Sequence, residues 1–399
     1  MPDSYREVSS QSWFSRIGQS IKSVLVGLVF FIAAFPILFW NEGRAVQTSR
    51  SLKEGANAVI SVPADKVDAA NEGRLVHVSG PVTTEATLTD EQFGVSANAL
   101  KLIRHVEMYQ WVEDKKSEER KKLGGGTETV TTYNYEKKWS DEAVDSSSFQ
   151  HPEGHENPGA LPVESTTLTA EPITLGAFTL SPEQVDKIDE AADLPVGEEQ
   201  MAEIPEENRE GVQIDQGRFY MGANPASPQV GEARISFQVV KPGPRSLIAR
   251  QVGNTFEAYP TQAGDAILLV EEGTKSADAM FKAAEAANQT LTWILRAVGF
   301  FLMFFGLLMV FKPIAVFADV VPLVGTILGA GLGLFSFLTA LFLSLVTIAI
   351  SWIVVRPVLG IGLLVVALGA LVWLVSVGRK KKQARAAVLP PLPPPAPAS

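Results

Sequence analysis

Cysteine is absent from all 399 residues, which excludes disulfides, thiolate metal sites and cysteine nucleophiles. Histidine is nearly absent as well, with only His77, His105, His151 and His155. His151 and His155 stand four apart in "HPEGHENPG", the spacing of a helical metal pair. Pro152, Gly154 and Pro158 break any helix there, and no third ligand stands at a familiar spacing. Gly124-Gly125-Gly126 lacks the Lys-Ser/Thr pair and following helix of a phosphate loop, and no Gly-x-Ser-x-Gly elbow is present. No catalytic residue, metal or cofactor is therefore expected, and the chain reads as a non-enzyme. Basic stripes are missing from the middle of the chain, so nucleic acid is not expected as a partner. The formal charge of −10 marks no partner surface either. Eleven Asp or Glu residues against Lys187 and Arg209 fall between Ser181 and Glu210, a solvated face or linker.

Two regions lack charge almost entirely. Ser23 to Trp40 holds no ionisable residue and, at ~1.5 Å per residue, nearly crosses a ~30 Å hydrocarbon layer. It exceeds a signal-peptide core and has no small-residue cleavage site, so residues 23–40 read as a retained first transmembrane helix, with Trp40 at the interface. Residues 292–311 form the second, flanked by Trp293 and Lys312, with Arg296 close enough to the surface to snorkel. From Pro313 to Gly378 only Asp319 and Arg356 are ionisable. Arg356-Pro357 divides this stretch into spans at 328–352 and 358–377, and residues 312–327 read as an interfacial or re-entrant segment on the cytoplasmic side. Arg379, Lys380, Lys381, Lys382 and Arg385 place the tail, 378–399, in the cytoplasm. Four crossings then put residues 1–22 in the cytoplasm and residues 41–291 outside it. Gly325, Gly329 and Gly333 share one helical face, a helix-packing surface that serves either the bundle or an oligomer. No ionisable group stands at mid-bilayer, which disfavours ion-coupled transport but leaves a passive pore open.

The 41–291 domain reads as β-rich. "RLVHVSGPV", "RISFQVV", "SLIARQV", "TFEAY" and "DAILLVEE" are strands bounded by turn residues. "VEMYQWVED" and "VTTYNYEKKW" make a long hairpin closed by the triglycine. Tyr109, Trp111, Tyr133, Tyr135 and Trp139 would form one cross-strand aromatic ladder in the right register, stabilising the sheet or serving as a ligand platform. "SPEQVDKIDEAA" is a helix with a Ser181/Gln184 capping box, and "SADAMFKAAEAANQ" from Ser276 is a second that leads straight into the next span. The overall class is an α+β membrane protein with four transmembrane helices and a large β-rich extracytoplasmic domain between the first two.

Asn-Glu-Gly-Arg occurs twice, at Asn41 to Arg44 and Asn71 to Arg74. The flanks share nothing else, so turn chemistry explains both: Gly43 as the left-handed cap that ends the first span, and Asn71 with Gly73 as a tight turn before a strand.

"NEGRAV", "SLKEGANAV", "NEGRLVHVSG", "LIRHVEMYQWVE", "YNYEKKW", "GHENPGALPVES", "VGEARISF", "LIARQVGN" and "VVRPVLG", in that order, resemble the LUMA family, also called transmembrane protein 43. The resemblance implies a four-pass protein of the endoplasmic reticulum and inner nuclear membrane that self-associates, organises that membrane and, in animal members, partners with lamin and emerin; channel-related roles are also proposed for the family. It carries over no catalytic residue. The matching positions are Asn41, Glu42, Gly43, Arg44, Asn71, Glu72, Gly73, Arg74, His77, Arg104, His105, Glu107 to Trp111 with Tyr109 among them, His155, Asn157, Pro158, Arg356 and Pro357. His151, the triglycine and the proline-rich tail depart from the pattern. The missing cysteines and alanine-rich style suggest a bacterial member, with a periplasmic domain in the cytoplasmic membrane and other envelope proteins as partners. The expected function is a non-enzymatic, homo-oligomeric membrane scaffold in contact with membrane lipid. A channel-like oligomer, an envelope sensor and an enzyme with a histidine-containing site are the alternatives.

Overall fold

The computed structural model describes residues 3–355 and Pro357. Arg356, the expected fourth span at 358–377 and the tail lie outside the described residues. Contacts divide the chain into two units. The first holds the residues up to Ile21, Gln47–Gln289 and Pro313–Gly329; the second holds Lys22–Val46, Thr290–Lys312 and the residues from Ala330 on.

Two large sheets, beside two small two-stranded ones, build the first unit. The strands of the larger are β1 (Asp3–Gln11), β4 (Lys101–Lys121), β5 (Thr127–Ser140), β6 (Thr166–Thr169), β9 (Ala192–Leu194), β10 (Val212–Asp215), β11 (Arg218–Met221) and β12 (Ala233–Val240). Their order is β1-β5-β4-β12-β11-β10, with β9 on β12 and β6 on β4. The smaller holds β2 (Ile60–Val62), β3 (Leu75–Thr83), β7 (Thr174–Leu175), β8 (Phe178–Thr179), β13 (Gly243–Val252), β14 (Thr255–Glu257) and β15 (Leu269–Glu272). It runs β8-β7-β3-β13-β14, with β15 on β13 and β2 parallel to β3.

Alternation decides which residues these strands bury. Val76, Val78, Leu247 and Ala249 point into one core. Leu75 and Ile248, one residue out of phase, point to the other face, where they meet Leu52, Met280 and Phe281. Val106, Ile235 and Phe237 of the larger sheet pack with Phe93 and Phe219 in a third cluster. Hydrophobic alternation thus accounts for the central strands of both sheets.

Among the described residues, three helices are long and apolar enough to cross a membrane: α1 (Trp13–Ala58), α2 (Ala277–Ala318) and α3 (Pro322–Val355). The first three expected spans lie inside them, but their ends differ from expectation. α1 does not stop at Gly43. Its later turns are held in the first unit, where Gln47 and Thr48 donate to Asp265 (2.6 Å each) and Leu52 is buried. These tertiary contacts override a glycine stop signal. Residues 312–327 form no separate segment, since α2 continues through Pro313 to Ala318 and α3 starts at Pro322. Proline at a helix start loses no hydrogen bond. The "SPEQVDKIDEAA" helix keeps its capping box but spans only Pro182–Asp186.

The largest correction concerns residues 1–22, expected to stand apart from the 41–291 domain. Asp3–Gln11 instead adds a strand to that domain, paired antiparallel with β5 from Asp3↔Tyr135 to Gln11↔Thr127. An edge strand offers a full row of free backbone groups, and β1 satisfies those of β5.

Within the second unit, Ala34, Leu38, Met303, Leu307 and Ala340 form the core. α1 and α2 approach closely at glycines the sequence reading missed. A Cβ on Gly306 would lie 2.7 Å from the Phe31 nitrogen, and one on Gly27 would lie 2.7 Å from the Gly306 carbonyl oxygen. Only glycine allows such backbone contact. By contrast, a Cβ on Gly329 or Gly333 meets nothing within 4 Å among the described residues, whereas one on Gly325 would strike Asp319 of the same unit.

Candidate functional site

The first Asn-Glu-Gly-Arg lies mid-helix, and its side chains build a polar layer in the second unit. Glu42 is almost fully buried, and an unpaired carboxylate there would be prohibitively costly. Arg296 answers it with a two-pronged contact, Nε to Oε1 at 2.6 Å and Nη2 to Oε2 at 2.8 Å. The Trp352 indole donates to Oε2 at 2.7 Å. The Trp293 ring centroid lies 4.7 Å from the guanidinium carbon and that of Trp352 lies 5.8 Å from it, adding cation–π attraction. Asn41 donates to the Thr292 carbonyl (3.0 Å), Arg44 to the Thr292 hydroxyl (3.0 Å), and Ser351 to the Phe39 carbonyl (3.2 Å). Arg296 was expected to snorkel; it is locked inward because its acid partner sits on a neighbouring helix. Both carboxylate oxygens are engaged, so the arrangement ties three helices together.

The second copy is a turn, as its residues imply. Asn71 closes a single 3₁₀ turn, and Gly73 has φ +72°, a conformation that strains any side chain. Gly73 N–H donates to the Gln251 carbonyl (2.9 Å), and the Glu72 carboxylate accepts from Gly253 N–H (2.8 Å).

The remaining motif positions disperse into local ties. Arg104 grips Asp90 through both oxygens (2.9 and 2.8 Å) beside the Phe93 ring. Glu107 pairs with Arg234 (2.5 and 2.9 Å), whose hydrogen bond holds the Glu107 carboxyl below its usual range. His105 faces Ser236 across the β4–β12 ladder. The Asn157 amide docks on the strand edge at Trp111, accepting from its N–H (2.8 Å) and donating to its carbonyl (2.9 Å). Among the described residues, no three His, Asp or Glu side chains converge as a metal site would need.

Register explains why the aromatic ladder is incomplete. Tyr109 opposes Trp139, but Trp111 opposes Lys137, Glu113 opposes Tyr135 and Lys115 opposes Tyr133. Tyr133 and Tyr135 turn instead to the histidines and to β1. His155 stacks on Tyr135 (3.9 Å between centroids), His151 stacks on Tyr5 (4.3 Å), and Trp111 meets His155 edge-on (4.7 Å). Asp3 lies 3.4 Å from His155 Nε2 and Glu7 lies 3.9 Å from His151 Nε2. The Tyr135 hydroxyl donates to Glu113 (2.5 Å); burial, aided by that carboxylate, pushes its pKa up to about 12. This box anchors the N-terminal strand, and nothing in the spacing of residues 3, 5 and 7 announced it.

A further cluster escaped sequence reading altogether. Asp319 is buried between Arg16 (2.6 Å) and Lys121 (2.6 Å), partners 303 and 198 residues away. Separation on that scale leaves no local signal.

His77 illustrates how such a tie reads in pH. Its Nε2 donates to the Lys275 carbonyl (2.9 Å), which leaves Nδ1 to accept from Ser61 (3.1 Å). Burial depresses its pKa, and the hydrogen bond to Lys275 offsets part of that. The unfolded chain therefore takes up the proton first, so stability present above about pH 6.5 is lost as the pH falls below it toward the depressed folded value. We predict that His77→Gln flattens the fall in thermal midpoint between about pH 7 and about pH 5. An identical slope in wild type and variant would contradict this assignment.

Comparison with known proteins gives a consistent picture. The family model described as Transmembrane protein 43 matches residues 108–357. The chain is 37% identical to Transmembrane protein 43 of Mus musculus over 86% of its own length and 87% of the relative's. The Homo sapiens protein of that name is 36% identical, with 88% and 89% covered, and the Drosophila melanogaster homolog is 32% identical, with 88% and 93% covered. No solved structure matches.

Proposed function

The chain belongs to the transmembrane protein 43 family, and from that premise we propose that it works as an oligomeric scaffold that organises its membrane or the protein complexes within it. One observation carries this reading. Buried ionisable side chains, among them Arg16, Glu42, Asp90, Arg104 and Asp319, each face a partner on another segment. Active sites hold such groups open toward a substrate; here they are spent on joining segments. A Cβ on Gly329 or on Gly333 would meet nothing within 4 Å among the described residues, and small residues with such room permit close approach by a second copy.

The absence of native cysteine makes the test clean. A single cysteine at Gly333, treated with a short bismaleimide in native membranes, is expected to give crosslinked dimers or larger species. Monomers alone, with alkylation confirming that the thiol is reachable, would refute the oligomeric reading.

A further inference from the structure

Within the second unit, α1 and α3 leave an open groove of about 640 Å³ between them. Its walls are Phe35, Pro36 and Phe39 on one side and Leu343, Val346 and Ile350 on the other. The Thr347 hydroxyl, also in the wall, donates to the Leu343 carbonyl (2.8 Å), so its polar atom is satisfied and the surface is apolar. Hydrocarbon does not penalise an exposed Phe or Ile, and exposure alone names no occupant. Concavity and chain direction do, because an unfilled groove forgoes the dispersion contacts that a fitted face would make.

Contacts fix the direction of each helix. α2 runs against α1: a Cβ on Gly306 would lie 2.7 Å from the Phe31 nitrogen, one on Gly299 would lie 2.5 Å from the Leu38 side chain, and Arg296 grips Glu42. It runs against α3 as well, with Arg296 at Trp352, Met303 at Ser344 (3.7 Å) and Phe311 at Phe335 (5.7 Å between centroids). α1 and α3 are therefore parallel to each other. Among the described residues they alone wall the groove, which opens on the side away from α2. In an up-down-up-down four-helix bundle, the first and third helices lie on one diagonal, and the seam opposite the second helix is the seat of the fourth. Residues 358–377 hold no ionisable side chain and follow the end of α3 at Val355 after only Arg356-Pro357. Helices joined by so short a link pack as antiparallel neighbours. Equal steps on either side of Arg356-Pro357 set Leu363 against Ile350, Ala367 against Val346 and Ala370 against Leu343. Leu363, Val366, Ala367 and Ala370 have the spacing of one helical face, and its alanines permit close approach. We propose that the expected fourth span, residues 358–377, docks in the α1–α3 groove, antiparallel to both helices, with this face inward.

The chain has no native cysteine, so paired thiols in the full-length protein, oxidised with copper phenanthroline in native membranes, test this. Ile350→Cys with Leu363→Cys, and independently Phe35→Cys with Ala367→Cys, are expected to form a disulfide within one chain, since facing positions on packed helices come within its reach. After denaturation, a maleimide-polyethylene glycol tag should find both thiols protected at monomer mobility. Leu345→Cys, on the opposite side of α3 and 58% exposed, paired with Leu363→Cys should keep both tags. The two groove pairs share no substitution, so misfolding of one leaves the other readable. Tags retained in both groove pairs, or equal protection in the Leu345 pair, would overturn the proposal. Disulfide-linked dimers in place of protected monomer would also overturn it and put a second copy in the groove. So would a dye on Phe39→Cys that doxyl-labelled phosphatidylcholine quenches as strongly as one on Leu345→Cys, which would make lipid the occupant.

Discussion

Arg296→Met is expected to destabilise the second unit by about 3–5 kcal/mol, the usual effect of leaving one member of a buried ion pair without its partner. Among the described residues, Glu42 would keep only the Trp352 indole as a donor while remaining inside an apolar bundle. The size of the loss comes from the stranded carboxylate more than from the attraction itself. Glu42→Leu combined with Arg296→Met should therefore recover most of it, since replacing a buried pair by apolar residues is often neutral. Trp352→Phe removes a single charge-assisted hydrogen bond and should cost about 1.5–3 kcal/mol. Reversible unfolding in mixed micelles, followed for Glu42→Leu, Arg296→Met and the double variant, measures the coupling. A midpoint for Arg296→Met equal to wild type would show that the pair does not hold the helices.

The same residues show what could be read in advance and what could not. Apolar runs and alternation are local, so the spans inside α1, α2 and α3 and the strands β3, β12 and β13 follow directly from residue order. Asn71 and Gly73 declare a turn because the turn is made by their own backbone. Glu42 gives no comparable sign. Beside Gly43 it looks like the end of a helix, and only the return of the chain at Arg296, 254 residues later, turns it into a buried anchor. β1 is harder still, since "DSYREVSSQ" is exposed along nearly its whole length. It lacks the hydrophobic rhythm that identifies a half-buried strand, and backbone pairing with aromatic contacts to Tyr135 and His151 holds it instead. The glycine stripe at Gly325, Gly329 and Gly333 was conspicuous by its spacing. Gly27 and Gly306 stand 279 residues apart in sequence, and only their meeting shows that α1 and α2 need them.

Asp319→Asn should release the hairpin apex while leaving the rest of the first unit folded. Asp319 carries the only negative charge within 3 Å of either Arg16 Nη2 or Lys121 Nζ among the described ion pairs; the next acid, Glu119, lies 3.9 Å from Arg16. An amide keeps the shape and loses the charge, so two cations are left facing each other across a buried neutral group. Lys121 is about one-third exposed and can swing into water, which lowers its share of the cost. The Arg16 side chain is 10% exposed and cannot. The order of damage is therefore expected to be Asp319→Asn, then Arg16→Met, then Lys121→Met. Hydrogen exchange reads it directly, because local opening reports the free energy that holds a segment closed. Amides of residues 119–129 and of β1 should exchange at least roughly tenfold faster in Asp319→Asn, equivalent to about 1.4 kcal/mol or more of lost local stability. The amides of β3 and β13, whose packing involves none of these three residues, should be unchanged. Uniform acceleration across both sheets would mean that Asp319 supports the fold as a whole, and unaltered exchange at the apex would mean that it supports neither.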